Sequence, residues 1–419
     1  MAAPARRVLY VSSNCYLDDS NGATVASRAM MESLARAGFT TEVLTGSLLE
    51  TNESFELSGW LTRRGFKFEV EGGGSWTASP RGLRCDIPTH YRLAVQGVPI
   101  TLCPDFAVVS NEADSPGVEA FLRLFGNALG RFRPDVVVNF GGDAVAHEVR
   151  ARARAGGAAV VFALHNFSYR SVGSFNAVDA VFVPSHFASD HYREMLELNC
   201  TVLPNLIDRH RVLAEIHEAR YVTFVNPSYE KGVYVFARIA DELGRRRPDI
   251  PLLVVEGRGS ERTLADCGVD LRVHGNVNLM GHTPDPRQFW GVTRICLMPS
   301  LWWENQPLAA VEAMINGIPV IGSDRGGIPE TLGESGVVLA LPERLTAATR
   351  VLPTVEEVAP WVEAIIRLWD DQEFYAEQSR LALEEARRWA AEVLEPLYVK
   401  FFHEIRAGGR GAAAIEEFQ

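Results

Sequence analysis

The sequence predicts an α/β protein of two domains, each built on a parallel sheet with helices on both faces. At 419 residues and 46.2 kDa, the chain exceeds one ordinary core and suits two domains of roughly 150 to 200 residues each. Its composition, 47% hydrophobic and 22% charged, is that of a folded chain and not of a disordered or collagenous one. Short β-branched runs alternate with helical patterns almost throughout, the pattern of parallel sheets covered by crossover helices.

The first series opens with the strand Val8-Leu-Tyr-Val-Ser and the helical stretch Thr24 to Ala37. It continues with Asp135-Val-Val-Val-Asn, the helix Ala144 to Ala155, then Ala159-Val-Val-Phe-Ala-Leu and Ala180-Val-Phe-Val. Residues 46–103 break this rhythm. There Arg92-Leu-Ala-Val and Val98-Pro-Ile-Thr-Leu flank Gln96-Gly97 as a hairpin, which predicts an antiparallel elaboration of the first domain. The second series runs from Tyr221-Val-Thr-Phe-Val through the helix Val233 to Arg246 and the strand from Leu252, to Ile295-Cys-Leu-Met and Pro319-Val-Ile-Gly. The polar stretch Pro204 to Arg211 separates the two series. The expected division is therefore 1–208 for the N-terminal domain and 209–385 for the C-terminal one. A closing helix and tail, 386–419, are expected to pack back on the first domain. Trp361, Ile365, Trp369, Trp389, Leu394, Leu397 and Phe401 recur at mostly helical spacings and read as core.

The net charge of −12 argues against a general basic field for nucleic acid. The first 208 residues carry no excess of positive charge, which disfavours docking on anionic lipid. Only three of the 41 basic residues are lysine, Lys67, Lys231 and Lys400, so a lysine beside a phosphate-type motif stands out. The six cysteines form no CxxC pair, which argues against a disulfide framework or a structural zinc site and reads as reduced, buried thiols. The stretch before Val8 is too short for a signal peptide. The longest uncharged apolar run, Gly156 to Leu164, falls far below the ~20 residues of a membrane span. These readings place the chain in the cytoplasm with no integral membrane segment.

The most specific stretch is Pro299-Ser-Leu-Trp-Trp-Glu304-Asn305-Gln306-Pro307-Leu308-Ala-Ala-Val-Glu312-Ala-Met, followed by Gly317-Ile-Pro-Val-Ile-Gly and Gly326-Gly327-Ile-Pro-Glu330. Pro307 favours a helix start, so Glu304 lies on the preceding loop and Glu312 about a turn and a half into the helix. The amides around Asn305 to Leu308, at the positive end of that helix, suit an anionic group such as a diphosphate. A second stretch, Val225-Asn226-Pro-Ser-Tyr-Glu-Lys231-Gly232, follows the first strand of the second series and opens a helix. Lys231 would neutralise a diphosphate there, and Gly232 would let the backbone turn closely beneath it.

These motifs resemble the retaining, nucleotide-sugar-dependent glycosyltransferases of family 4, and the match is densest from about Tyr221 to Glu334. The resemblance implies the GT-B fold, two Rossmann-like domains facing each other across a cleft. In it, the E-x7-E pair falls at Glu304, which would hold hydroxyls of the donor hexose, and Glu312, which would hold the ribose. Lys231 would neutralise the leaving diphosphate, and His165 would face the donor sugar. Gly22, in Asn21-Gly22-Ala-Thr, occupies the place of the family's glycine-rich loop, and Gly281 lies in the turn whose backbone reads the nucleobase. The family's usual arginine five positions before the lysine is Asn226 in this sequence. Arg258 is the expected substitute for that cation, with Arg325 in reserve. Ser185, Asn205 and Asp208 match further landmarks as hinge and capping residues, and His282 reads as a turn residue.

The implied reaction is transfer of a hexose-type sugar, from a UDP-sugar first and a GDP-sugar next, to a hydroxyl of a soluble small-molecule or saccharide acceptor. By the resemblance it proceeds with retention through front-face attack, with the departing phosphate helping to take the acceptor's proton. No cofactor is implied beyond the nucleotide sugar, itself a co-substrate. The sequence contains no Asp-x-Asp and no cluster with metal spacing, which points to metal-independent chemistry. Two alternatives share these residues: a non-catalytic sugar-nucleotide sensor or partner subunit, and another GT-B-like enzyme, a sugar-nucleotide epimerase or a phosphorylase.

Overall fold

The computed structural model describes residues 5–49, 56–73, 76–79, 82–85, 87–104 and 116–408, without side chains for 76–79 and 82–85. The chain divides into two compact units. One comprises Met1–Pro184, Ser189–Leu203 and Glu395–Gln419, and the other Ser185–Ala188 and Pro204–Leu394.

The first unit contains β1 (Arg7–Asn14), β2 (Thr40–Leu48), β3 (Glu69–Glu71), β4 (Trp76–Ser79), β5 (Gly82–Cys85), β6 (His90–Val95), β7 (Val98–Leu102), β8 (Val136–Asn139), β9 (Ala159–Ala163), β10 (Ala180–Val183) and β11 (Thr201–Val202). Nine of these strands form one sheet in the order β11-β10-β9-β8-β1-β2-β7-β6-β3. It is parallel from β11 to β7, each pair of neighbouring strands being joined by a long connection and not a tight hairpin. Leu9, Val11, Val137 and Val160 meet Phe121 and Phe125 of the helix Pro116–Phe132 in a buried cluster.

The 46–103 segment extends this sheet: β7 joins β2 in parallel, and β6 and β3 follow antiparallel at the edge. The hairpin turns at Gln96 and Gly97, with φ of 48° and 81°, the pair of left-handed residues that a two-residue type I′ turn requires. The segment also holds the helix Leu57–Arg63 and the β4–β5 ribbon, neither of which its sequence pattern marked.

The second unit contains β12 (Tyr221–Val225), β13 (Leu252–Val255), β14 (Val277–Met280), β15 (Thr293–Met298), β16 (Val320–Ser323) and β17 (Val337–Leu339). They form a parallel sheet in the order β14-β13-β12-β15-β16-β17. Both faces are covered, which explains the unbroken apolar runs. Leu252, Val254, Ile295 and Leu297 point into one buried cluster with Trp361, and the alternate residues Leu253, Val255, Cys296 and Met298 into another with Trp290 and Met314.

The limits of the units differ from the expected 208 and 385. Pro204–Asp208 falls in the second unit, where the Asn205 N–H donates to Gln306 Oε1 at 2.6 Å. The division near the C-terminus falls at Leu394/Glu395, inside the helix Ala391–Glu404. On one side Trp389 donates its indole N–H to the Thr331 carbonyl; on the other, Tyr398 and Phe401 pack edge-on against Phe182. The long helical region is broken at Asp371, whose side chain caps the helix Gln372–Glu385. Cys15, Cys200, Cys267 and Cys296 are free thiols, all but the half-buried Cys200 being buried; Cys103 is buried too, and the Cys85 side chain lies outside the described residues. No helix among the described residues is long and apolar enough to cross a membrane.

Candidate active site

In the second unit the chain runs outward from β12 through β13 to β14, then returns to the other side of β12 to continue as β15, β16 and β17. The loops leaving the carboxyl ends of β12 and β15 therefore diverge, and a parallel sheet binds ligands at such a switch point. Lys231 lies on the first of these loops and Glu304 on the second.

Three contacts dock the two loops. The Glu230 carbonyl accepts the N–H groups of Leu301 and Trp302 at 2.9 and 3.1 Å. Gly232 has φ +83°, and a Cβ there would meet the Pro299 carbonyl oxygen at 1.9 Å, so only glycine permits this approach. The Lys231 ammonium donates to Glu304 Oε1 at 2.5 Å, and the Ser300 hydroxyl to the same oxygen at 2.8 Å. The Glu304 side chain is only 12% exposed and that of Lys231 24%, so the pair is partly shielded from water.

The loop after β16 closes on the other flank. Gly326, at φ +64°, bridges to Glu304, the Gly327 N–H donates to the Glu304 carbonyl at 2.7 Å, and a Cβ on Gly327 would meet the Asn305 carbonyl oxygen at 2.1 Å. The glycine pair thus forms a floor under the Glu304-Asn305 backbone.

Two helices begin beside the pair, Val233–Arg246 just after Lys231 and Leu308–Ile315 just after Pro307. In the second, the first backbone bond runs from Ala310 N–H to the Pro307 carbonyl, so the Leu308 and Ala309 amides precede the bonded ladder and point outward from the helix end. Asn305 accepts the Ser185 hydroxyl at 3.0 Å. Gln306 uses its carbonyl oxygen for Asn205, and its amide nitrogen is buried with no hydrogen-bond partner among the described residues.

Glu312 sits in the fifth position of the same helix. Trp290 donates its indole N–H to Glu312 Oε2 at 3.0 Å, and burial pushes the carboxyl above its ordinary range. Gly281, in the loop after the edge strand β14, is exposed and has open space where a Cβ would stand, so no steric demand fixes its identity. His282 beside it is exposed.

Asn226 adopts the left-handed conformation, φ 61°, which asparagine tolerates better than arginine. Its side-chain oxygen accepts the Gly259 N–H at 2.9 Å, tying the β12 loop to the β13 loop. Gly257 and Gly259 lie against Asn226 and Pro227 with no room for a Cβ on Gly259. Exposed Arg258 stands between these two glycines. Arg325, the reserve cation, is committed elsewhere: its guanidinium donates to the Leu341 and Pro342 carbonyls at 2.9 and 3.2 Å.

His165 and Gly22 belong to the first unit. His165 follows β9, set edge-on to Phe140 and Phe182. Burial lowers its pKa to about 4, so the ring is neutral at neutral pH, and its Nε2 is buried without a hydrogen-bond partner among the described residues. Gly22 opens the helix Gly22–Arg36, where the Asn21 side chain caps the Ala23 and Thr24 amides. Asp208 likewise caps the turn Arg209–Val212, and the Ser185 hydroxyl accepts the Ala188 N–H.

Ser300 and Glu330 carry structure that their motif context did not specify. Ser300 is a second donor to Glu304. The Glu330 carboxylate accepts the His186 and Phe187 N–H groups at 2.8 and 2.9 Å. Their only sequence signals were the Pro-Ser and Gly-Gly-x-Pro-Glu contexts.

The polar surroundings of Lys231 and Glu304 match a known sequence pattern. Residues 219–371 match the family of glycosyl transferases group 1. Those residues span β12 to β17 and every loop described above in the second unit from β12 onward. A stretch of 155 residues is 30% identical to a chain of human phosphatidylinositol N-acetylglucosaminyltransferase, covering 34% of this chain and 30% of the human one. The whole chain has the GT-B glycosyltransferase fold. It aligns with sucrose-phosphate synthase from Thermosynechococcus elongatus at a TM-score of 0.68 and 15% identity, over 95% of this chain and 98% of that one. The pneumococcal O-GlcNAc transferase GtfA, in complex with UDP and GlcNAc, aligns at 0.66 and 12% identity over 96% and 99%. Anabaena HepE, in complex with UDP and glucose, aligns at 0.63 and 14% identity over 96% and 100%.

Proposed function

We propose that the chain is a metal-independent retaining glycosyltransferase. It takes a hexose-type sugar from a nucleotide sugar, with UDP favoured, and delivers it to a hydroxyl of a soluble small-molecule or saccharide acceptor. The observation that carries this reading is the Lys231–Glu304 pair at the switch point, flanked by two helix N-termini. An anion-holding cation and a shielded carboxylate side by side suit a ligand with a diphosphate at one end and vicinal hydroxyls at the other. The UDP complexes of GtfA and HepE support the choice of UDP.

In this reading Lys231, the Leu308 helix start and Arg258 hold the diphosphate. Glu304 accepts from hexose hydroxyls near the reacting carbon, and Glu312 from the ribose. The bond from C1 to the diphosphate oxygen breaks as the acceptor oxygen bonds to the same face of C1. The acceptor's proton passes to the departing phosphate oxygen. Lys231 stabilises the negative charge that develops there, the kind of preorganised contact that supplies much of an enzyme's acceleration. His165, neutral and with Nε2 unsatisfied, is suited to a hydrogen bond with a sugar hydroxyl.

A thermal-shift panel of UDP-, GDP-, ADP- and TDP-sugars tests donor choice, because a ligand selective for the folded state raises its stability by about 2.7 kcal/mol at a hundred times Kd. A UDP-sugar is expected to give the largest shift, and no shift from any of the four would sink the reading. Proton NMR of the product reports the anomeric configuration, and inversion would contradict the retaining mechanism.

A further inference from the structure

We propose that Trp302 is a stacking wall for the pyranose ring of a saccharide acceptor. The proposal rests on the glycosyltransferase reading and adds to it the chemistry that selects the acceptor.

Two tryptophans stand between Ser300 and Glu304, 39% and 41% exposed. Trp303 has its ring set edge-on to Phe187, 5.8 Å between centroids. The Trp302 ring has no aromatic, cationic or hydrogen-bond partner among the described residues. Its backbone is nevertheless fixed, because its N–H and that of Leu301 both donate to the Glu230 carbonyl, one residue from Lys231. Leu301 turns into the core and supplies the loop's packing. The indole therefore contributes little to holding the loop, while the backbone that carries it is fixed two residues from Glu304.

The character of the neighbouring groups separates acceptor from donor. Those assigned to the donor, Glu304, Glu312 and the amides beside buried Asn305 and Gln306, are polar and shielded. Trp302 is apolar and half-exposed, which suits a ligand that binds at the rim. A pyranose presents a face of C–H bonds that an indole ring covers, while its hydroxyls remain free for the carboxylate and for water. A ligand without a flat apolar face would gain nothing from this residue.

The test uses the full chain with UDP-glucose and UDP-N-acetylglucosamine as donors. Methyl glucoside, methyl galactoside and methyl N-acetylglucosaminide serve as acceptors, with glycerol as a hydroxyl source lacking a ring face. Trp302→Ala is expected to leave UDP affinity and acceptor-free donor hydrolysis unchanged. It should raise the KM for the pyranosides by about five- to tenfold, the scale of one aromatic contact, while Trp302→Phe keeps most of the affinity. A wild-type KM in Trp302→Ala would overturn the proposal. So would weakened UDP binding, which would place the ring against the nucleobase, or refusal of every pyranoside by an enzyme that hydrolyses donor. Absence of both UDP binding and hydrolysis in the wild type would instead remove the glycosyltransferase reading itself, and the proposal with it.

Discussion

The Lys231 ammonium and Glu304 Oε1 lie 2.5 Å apart, and that carboxylate oxygen also accepts the Ser300 hydroxyl. The two residues are 73 positions apart in sequence. They meet because adjacent strands of a parallel sheet send their loops to the same edge. Replacing either Lys231 or Glu304 with alanine is predicted to lower turnover by roughly two to three orders of magnitude, the scale for losing a transition-state stabiliser. Circular dichroism should show both variants folded, and steady-state kinetics near the wild-type rate would contradict the assignment.

Gly232 makes this meeting sterically feasible. Gly232→Ala places a methyl group 1.9 Å from the Pro299 carbonyl oxygen at a φ of +83°. Urea unfolding should show a loss of at least about 2 kcal/mol, because both the clash and the left-handed backbone oppose the change. Gly281→Ala, which meets nothing within 4 Å, is the matched control and should be near neutral.

Glu312 carries a stability cost linked to pH. Burial raises its folded pKa above the ordinary 4.5, so folding favours its protonated form. The penalty of ionising it is largest above the raised pKa and fades as pH falls toward 4.5. Glu312→Gln should therefore melt higher than the wild type at pH 8, with the gap closing at low pH, while binding UDP more weakly if the carboxylate holds the ribose. A constant gap across pH would contradict the buried-carboxyl account.

His165 has the opposite linkage. Its pKa falls from 6.5 to about 4, so the unfolded chain takes up a proton that the folded chain refuses. The stability this residue contributes is full above pH 6.5 and is lost as pH falls toward 4. Between pH 7 and 5 the wild type should lose about 2 kcal/mol more than His165→Gln. Parallel losses measured by urea unfolding would place the histidine in a more solvated setting.

Arg258 and Arg325 should separate cleanly. Arg258→Ala is predicted to weaken UDP binding by about tenfold, the scale of one charge-assisted hydrogen bond. Arg325→Ala abandons two backbone carbonyls and should lower the melting temperature without a comparable loss of affinity. Calorimetric titration of UDP on both variants checks the pair.

The sheets and their covering helices were legible because strands buried on both faces leave unbroken Val and Ile runs; the helices Ala144–Ala155 and Val233–Arg246 have the expected bounds. The β4–β5 ribbon was not legible, since two four-residue strands carry too little alternation to stand out. At the site, the sequence marked Lys231, Glu304 and Glu312 through their motifs. The docking of loops through backbone atoms left no trace except glycines. The commitments of Asn226 to Gly259 and of Arg325 to the Leu341 carbonyl depend on tertiary contacts that no local pattern encodes.

The most direct measurement follows carbon-13-labelled UDP-sugars by NMR in the presence of the wild type, Lys231→Ala and Glu304→Ala. The wild type is expected to consume one donor, release UDP and transfer or slowly hydrolyse the sugar, while both variants are slowed roughly a hundredfold or more. UDP-sugar that binds the wild type without being consumed, or variants that consume it at the wild-type rate, would contradict the claim that Lys231 and Glu304 form the reacting centre of a glycosyltransferase.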